Sequence, residues 1–248
     1  MKTDLHVHTA YCDGKNTPEK IVMTAIDRGM ETIGFSGHSY TFFDESYCMS
    51  KEGTKAYKAD IEYLRSKYAD RINVLMGIEQ DFYSNEPTDS YDYVIGSVHY
   101  LKLNDCFLPV DESPEILKEA VDKHFGGDWH VLTELYYDTV ASVAERTGCT
   151  IIGHFDLITK FNENDSLFST SDERYVSQWK KAVDKLLGFD IPFEINTGAI
   201  SRGYRTTPYP SVEIIDYIKQ NGGRLILSSD AHSAENLMFE FDKYEYLL

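Results

Sequence analysis

The chain has 248 residues, 24 basic against 41 acidic side chains and a formal charge of −17. That length can bury a full core, and that charge disfavours a polyanionic nucleic-acid substrate. The four cysteines lie far apart with no C-x-x-C pair, which argues against a disulfide framework or a thiolate zinc site and points to the reducing cytoplasm. The opening MKTDLHVHTAYCDG carries no apolar leader, and no run of about 18 apolar residues could span a bilayer, so no membrane partner is expected.

Taken in chain order, short β-prone runs alternate with longer amphipathic stretches, the pattern of repeated βα units around a parallel sheet. Seven such runs are expected near Thr3–Val7, Thr32–Phe35, Ile72–Ile78, Tyr93–Val98, Thr150–Gly153, Ile191–Ile195 and Leu225–Leu227. After the first, Thr17 caps a helix that opens at Pro18-Glu19 and stops at Gly29. Ser113-Pro114-Glu115 and Pro210-Ser211-Val212-Glu213 are similar starts, and Asn221-Gly222-Gly223 is a stop before the last strand. The weakly patterned stretches Ser39–Ser50 and Lys160–Ser171 read as loops able to cover a site. Nothing resembling a linker cuts the chain, so residues 1–248 are expected to form one barrel domain.

Most histidines fall at or just past the C-terminal end of one of these strands. His6 and His8 close the first run, His38 follows the second, Glu79 the third, His99 the fourth, His154 the fifth, and Asp230 with His232 the seventh. In a barrel these positions converge on the face that carries catalytic groups. Two residues apart on a strand, His6 and His8 point the same way, and Asp4 would share their face. Asp230-Ala231-His232 repeats the spacing and adds a carboxylate to balance a divalent cation. With Asp13 the set exceeds what one tetrahedral ion can use, so two or three ions (zinc, iron or manganese) are implied, and Glu79 could bridge two of them. His124 and His130 read as ordinary surface or core groups, and Tyr136, Tyr137, Tyr217, Tyr244 and Tyr246 as packing residues.

These residues compose motifs: D-L-H-V-H-T at Asp4–Thr9, G-H at Gly37-His38, S-V-H at Ser97–His99, G-H-F-D at Gly153–Asp156 and S-D-A-H at Ser229–His232. Together they resemble the polymerase and histidinol phosphatase (PHP) superfamily. Three stretches, Gly96–Tyr100, Gly153–Asn162 and Glu194–Ser211, resemble its histidinol-phosphatase branch. The resemblance implies a distorted (β/α)7 barrel of the TIM-like kind. It also implies one ion on His6, His8, Glu79 and Asp230, a second on Glu79, His99 and His154, and a third on Asp13, His38 and His232. The implied reaction is hydrolysis of a small phosphomonoester, L-histidinol phosphate, by a hydroxide bridging two ions, with Asp230 or His232 assisting proton movement. Lys160 and Arg202 resemble phosphate-contacting positions, while Asp156 and the Ser39–Ser50 loop are candidates, by position, for recognising the rest of the substrate. The rival readings are a nucleotide or oligonucleotide phosphodiesterase, a protein-tyrosine phosphatase of the same superfamily, a two-metal amide or lactone hydrolase, and a silent metal-binding scaffold.

Overall fold

In the computed structural model, which describes residues 2–248, seven parallel strands run around a barrel in the order of the chain. They are β1 (Thr3–Asp4), β2 (Thr32–Phe35), β3 (Asn73–Asp81), β4 (Tyr93–Ser97), β7 (Ile151–Ile152), β8 (Phe193–Asn196) and β9 (Leu225–Ser228). Each falls within two or three residues of its expected place. The remaining two strands, β5 (Tyr100–Leu103) and β6 (Cys106–Pro109), form an antiparallel hairpin that the periodicity of the barrel does not announce. Its signal was a turn at Asn104-Asp105, where Asn104 takes a positive φ of 54°, between alternating apolar residues. Closure of the barrel rests on one parallel bridge between Val7 and Ala231. His8 N–H donates to the Ala231 carbonyl at 2.9 Å and Ala231 N–H to the His6 carbonyl at 3.0 Å.

A narrow barrel must be filled from within. Tyr93 does this here, its hydroxyl donating to the carbonyls of Leu5 at 2.6 Å and Phe35 at 3.0 Å. Room for its ring comes from two glycines on neighbouring strands. A Cβ at Gly34 would lie 2.4 Å from the Tyr93 hydroxyl, and one at Gly77 would lie 2.2 Å from Cζ. Leu5, Leu75, Ile95, Ile151 and Ile226 pack around the same ring, making a dry plug beneath the mouth.

Helices cover the outside: α1 (Pro18–Asp27), α2 (Lys51–Lys67), α3 (Pro114–Phe125), α4 (Trp129–Val140), α5 (Val143–Thr147), α6 (Glu173–Leu187), α7 (Gly198–Ser201), α8 (Val212–Gln220) and α9 (Phe241–Tyr244). Their starts follow the expected chemistry. Thr17 accepts from Lys20 N–H, Ser113 from Ile116 N–H and Ser50 from Gly53 N–H. At α8 the helix begins at Val212, so Pro210 stands outside it. Tyr136 and Tyr137 are buried as expected, but Tyr246 is 75 % exposed and is not the packing residue expected. Among the described residues no helix is long and apolar enough to cross a membrane.

Candidate metal centre

Parallel pairing fixes the strand ends, and the side chains just beyond them meet at one mouth. His6, His8 and Glu79 are almost completely buried there, and His38, His99, His154 and Asp230 are buried as well. Glu79 sits at the centre with its two oxygens turned to different partners. Its Oε2 lies 3.4 Å from His6 Nε2, 3.6 Å from His8 Nε2 and 2.8 Å from His38 Nδ1. Its Oε1 lies 2.9 Å from His154 Nε2 and 3.4 Å from His99 Nε2. Asp230 Oδ1 completes the first group, 3.1 Å from His8 Nε2 and 3.7 Å from His6 Nε2. Farther out, Asp13 Oδ2 lies 3.1 Å from His232 Nε2 and 3.7 Å from His38 Nε2, while Asp13 Oδ1 is 3.5 Å from His8 Nδ1.

These separations suit ions. A tetrahedron of metal–ligand bonds about 2.1 Å long has edges of about 3.4 Å. Three groups have ligand atoms within 4.8 Å of one another: His6, His8 and Glu79; His38, Glu79 and His99; and His8, Asp13, His38 and His232. His154 is outside the three, although it touches Glu79. The decisive observation is that His6 Nε2, His8 Nε2 and Glu79 Oε2 are buried without a hydrogen-bond partner and face one another. Buried polar atoms are costly to leave unmatched, and a divalent cation among them removes that cost.

Electrostatics divides the ligands. Burial disfavours charge on Glu79, but His38, His6 and His99 outweigh it and hold the carboxyl well below its usual range. Asp230 is likewise held down against burial by Arg202 and His6. Burial and the neighbouring His232 and His38 push His8 down to about 3, so its ring is neutral and ready to ligate. For His6 burial also works against charge, yet Glu194, Asp230 and Glu79 overcome it and hold the ring well above its ordinary value.

Two supporting carboxylates escaped the sequence reading. Glu194 on β8 accepts from His6 Nδ1 at 2.6 Å and from the His154 N–H at 3.0 Å, turning the His6 Nε2 edge toward Glu79. Asp81, at the end of β3, takes the His99 N–H at 3.2 Å and lies 3.4 Å from His99 Nδ1. A glutamate inside an otherwise apolar strand was the available signal for Glu194. The oxygens of Asp4 are already taken: it accepts from Ser229 Oγ, Ser229 N–H and Met238 N–H, tying β1 to the segment after β9. Asp230 adopts a positive φ of 48°, unusual for a residue with a side chain. A Cβ on Gly198 would come within 2.7 Å of its Cβ and Oδ2, so the absence of a side chain there leaves space for the aspartate.

A cavity of about 420 Å³ opens above this floor. Both expected basic residues line it. Arg202 donates to Asp230 Oδ2 at 3.0 Å and contacts His232 Nδ1 at 2.6 Å, and Lys160 donates to the Asp111 carbonyl at 2.7 Å and carboxylate at 3.2 Å. The Ser39–Ser50 loop and the β5–β6 hairpin also contribute to the lining, joined by Phe43 stacked on Phe107 at 3.8 Å. Asp156 is not part of the cavity. It accepts from Ser211 N–H at 3.0 Å and lines a separate cavity of about 390 Å³. His124 is exposed and His130 pairs with Asp172, both away from the mouth.

The family model described as PHP domain matches residues 4–198. Among curated relatives, a Deinococcus radiodurans protein is 29 % identical over 96 % of this chain and 89 % of its own. The histidinol-phosphatase of Bacillus subtilis is 26 % identical over 98 % of both chains. Among solved structures, the histidinol phosphate phosphatase of Lactococcus lactis, crystallised with zinc, L-histidinol and phosphate, has a TM-score of 0.71 at 20 % identity. It is matched over 99 % of this chain and 92 % of that one.

Proposed function

The chain belongs to the PHP domain family, and on that premise we propose that it is a metal-dependent phosphomonoesterase that converts L-histidinol phosphate to L-histidinol and phosphate. The observation that carries the reading is Glu79, whose two oxygens face two histidine groups at the floor of a cavity flanked by Lys160 and Arg202. The relatives named for this activity support the substrate. In this reading the barrel acts as one domain over residues 1–248. Four free cysteines support work in a reducing compartment, the cytoplasm.

His6, His8, Glu79 and Asp230 would hold one divalent ion, Glu79, His99 and His154 a second, and Asp13, His38 and His232 a third, the last with the His8 Nδ1 edge close by. Bound there, the ions supply Lewis acids for the phosphoryl oxygens and an activated water. The remaining work belongs to side chains. Arg202 presents a guanidinium to the phosphate while its other contact keeps Asp230 ionised, and Lys160 adds a point charge from the same wall. An ionised Asp230 can accept a proton but cannot give one. His232, at the rim between Asp13 and Arg202, stands with Asp230 as the pair that assists proton movement toward the leaving alkoxide.

Steady-state phosphate release from L-histidinol phosphate by metal-reconstituted protein tests this, beside p-nitrophenyl phosphate, a phosphotyrosine peptide and an oligonucleotide. Preference for L-histidinol phosphate, lost in Asp230→Asn, is expected. Turnover confined to the peptide or the oligonucleotide would replace the substrate, and silence on all four with metal bound would replace the function.

A further inference from the structure

The walls of the 420 Å³ cavity carry opposite charges. Lys160 and Arg202 line it, and so do Asp44 and Glu112. Asp44 differs from the other carboxylates of the mouth that are withdrawn from solvent. Asp13, Glu79 and Asp230 face histidines or arginine, and Asp111 faces Lys160. Asp44 instead is held by hydrogen bonds alone: Ser46 N–H donates to Oδ1 at 2.9 Å, Ser46 Oγ to the same oxygen at 2.6 Å, and the Tyr100 hydroxyl to Oδ2. Burial works against its charge, Ser46 and Tyr100 outweigh burial, and no cation is among the groups acting on it. It is thus an oriented, ionised carboxylate facing a cavity with no internal counter-charge. The same cavity has at its floor the buried Glu79, whose Oε2 lacks a hydrogen-bond partner, so it is a site built for a ligand.

We propose that Asp44, fixed by Tyr100 and Ser46, recognises a cationic nitrogen on the leaving alcohol of the substrate, so that the cavity selects phosphomonoesters of amino alcohols over neutral ones. The proposal rests on the phosphomonoesterase reading above. Aromatic faces line the path from floor to recognition point. The Tyr47 ring lies 4.8 Å from His38, and 6.1 Å from Tyr100, whose hydroxyl reaches Asp44. A small cation passing along these rings is favoured by their quadrupoles as well as by the carboxylate. Glu112, exposed at the rim, adds negative potential without a fixed geometry. The loop that carries Asp44 and the hairpin that carries Tyr100 are joined by the Phe43–Phe107 stack, so the recognition pair is set by contact between the two segments.

The test uses the full metal-reconstituted chain and matched pairs of esters: L-histidinol phosphate against p-nitrophenyl phosphate, and O-phosphoethanolamine against ethyl phosphate. The readout is the ratio of kcat/KM within each pair, which a general loss of folded enzyme does not move. Asp44→Asn is expected to lower the preference for the cationic member about 10–100-fold, through KM, the loss of one charge-assisted contact. Tyr100→Phe, which keeps the ring and removes the donor, lowers it by a smaller factor. A preference unchanged in Asp44→Asn overturns the proposal, whether or not overall activity falls. If the wild-type chain ignores L-histidinol phosphate yet shows an Asp44-dependent preference for O-phosphoethanolamine, the named substrate falls and cation recognition stands. If it turns over L-histidinol phosphate with a ratio indifferent to Asp44, the reverse holds, and if no ester is cleaved both readings fall.

Discussion

His6, His8 and Glu79 on the floor of the cavity are withdrawn from solvent and lie in or just after strands locked by parallel pairing, whereas Asp44, Lys160 and Arg202 on the walls ride on loops and keep contact with water. The floor shares its groups: Glu79 alone meets five histidines, and Glu194 orients His6 from behind. On the walls, Lys160 and Asp44 have one or two partners of their own, and Arg202 reaches only the edge of the floor at Asp230 and His232. Networks of the first kind fail as a unit, while independent contacts fail one at a time. The same mouth thus combines a part that any change disables with a part that can be retuned.

The sharpest way to break the contrast is Glu79→Gln. It is expected to strip metal and to lower kcat/KM more than about 1,000-fold, read by elemental analysis beside phosphate release. Acid should act on the same floor. His6 and His38 are held well above their ordinary values by neighbouring carboxylates against the effect of burial, so in the metal-free chain they carry protons that an ion must displace. Metal affinity therefore falls as pH falls, by about tenfold per pH unit for each proton displaced. His8, titrating at about 3, adds nothing to this near neutrality. Calorimetric titration in buffers of different ionisation enthalpy measures the release, and absence of released protons would contradict the assignment.

Glu194→Gln touches no proposed ion, yet it should cost about 10–100-fold in metal affinity or activity because it orients His6. On the wall, Arg202→Ala should raise KM for a phosphomonoester about tenfold or more with metal content nearly retained, the loss of a charged hydrogen bond. Equal losses of metal in these two variants would erase the distinction between floor and wall. The smallest effect belongs to Ser50→Ala, which removes the α2 cap where the Asp44 loop ends. About 1 kcal/mol of stability is expected to go, a fall of about 2–4 °C in Tm, with activity per folded molecule kept.

The floor was legible in sequence because ligation restricts residue types and strand ends restrict positions. His6, His8, His38, Glu79, His99, His154, Asp13, Asp230 and His232 all converge as their spacing from the strands suggested. Asp4 shows the limit of that argument. Alternation put it on the face of His6, but side-chain direction alone does not reveal that Ser229 and Met238 already occupy its oxygens. Glu194 was missed because a supporting carboxylate needs only to reach a ring from behind, which no fixed spacing encodes. The Ser39–Ser50 loop was a candidate by position, but its Asp44 did not stand out, because Asp44 and Tyr100 lie far apart in sequence and are brought together by a hairpin whose turn is brief and whose strands are four residues each. Asp156, a candidate for the substrate by position alone, faces another cavity, where it accepts from Ser211 N–H just before a short 3-10 segment at Leu157–Thr159.

The single bridge between Val7 and Ala231 has a consequence for the order of assembly during synthesis. It is flanked by His6 and His8 from the beginning of the chain and by Asp230 and His232 from near its end. A nascent chain still lacking its last strand holds the histidines of β1 to β7 but none of the ligands beyond β9. Tight capture of metal should therefore be a late event that marks completion, and the ion, once seated, bolts the first and last strands together across a seam where the backbone supplies a single bridge.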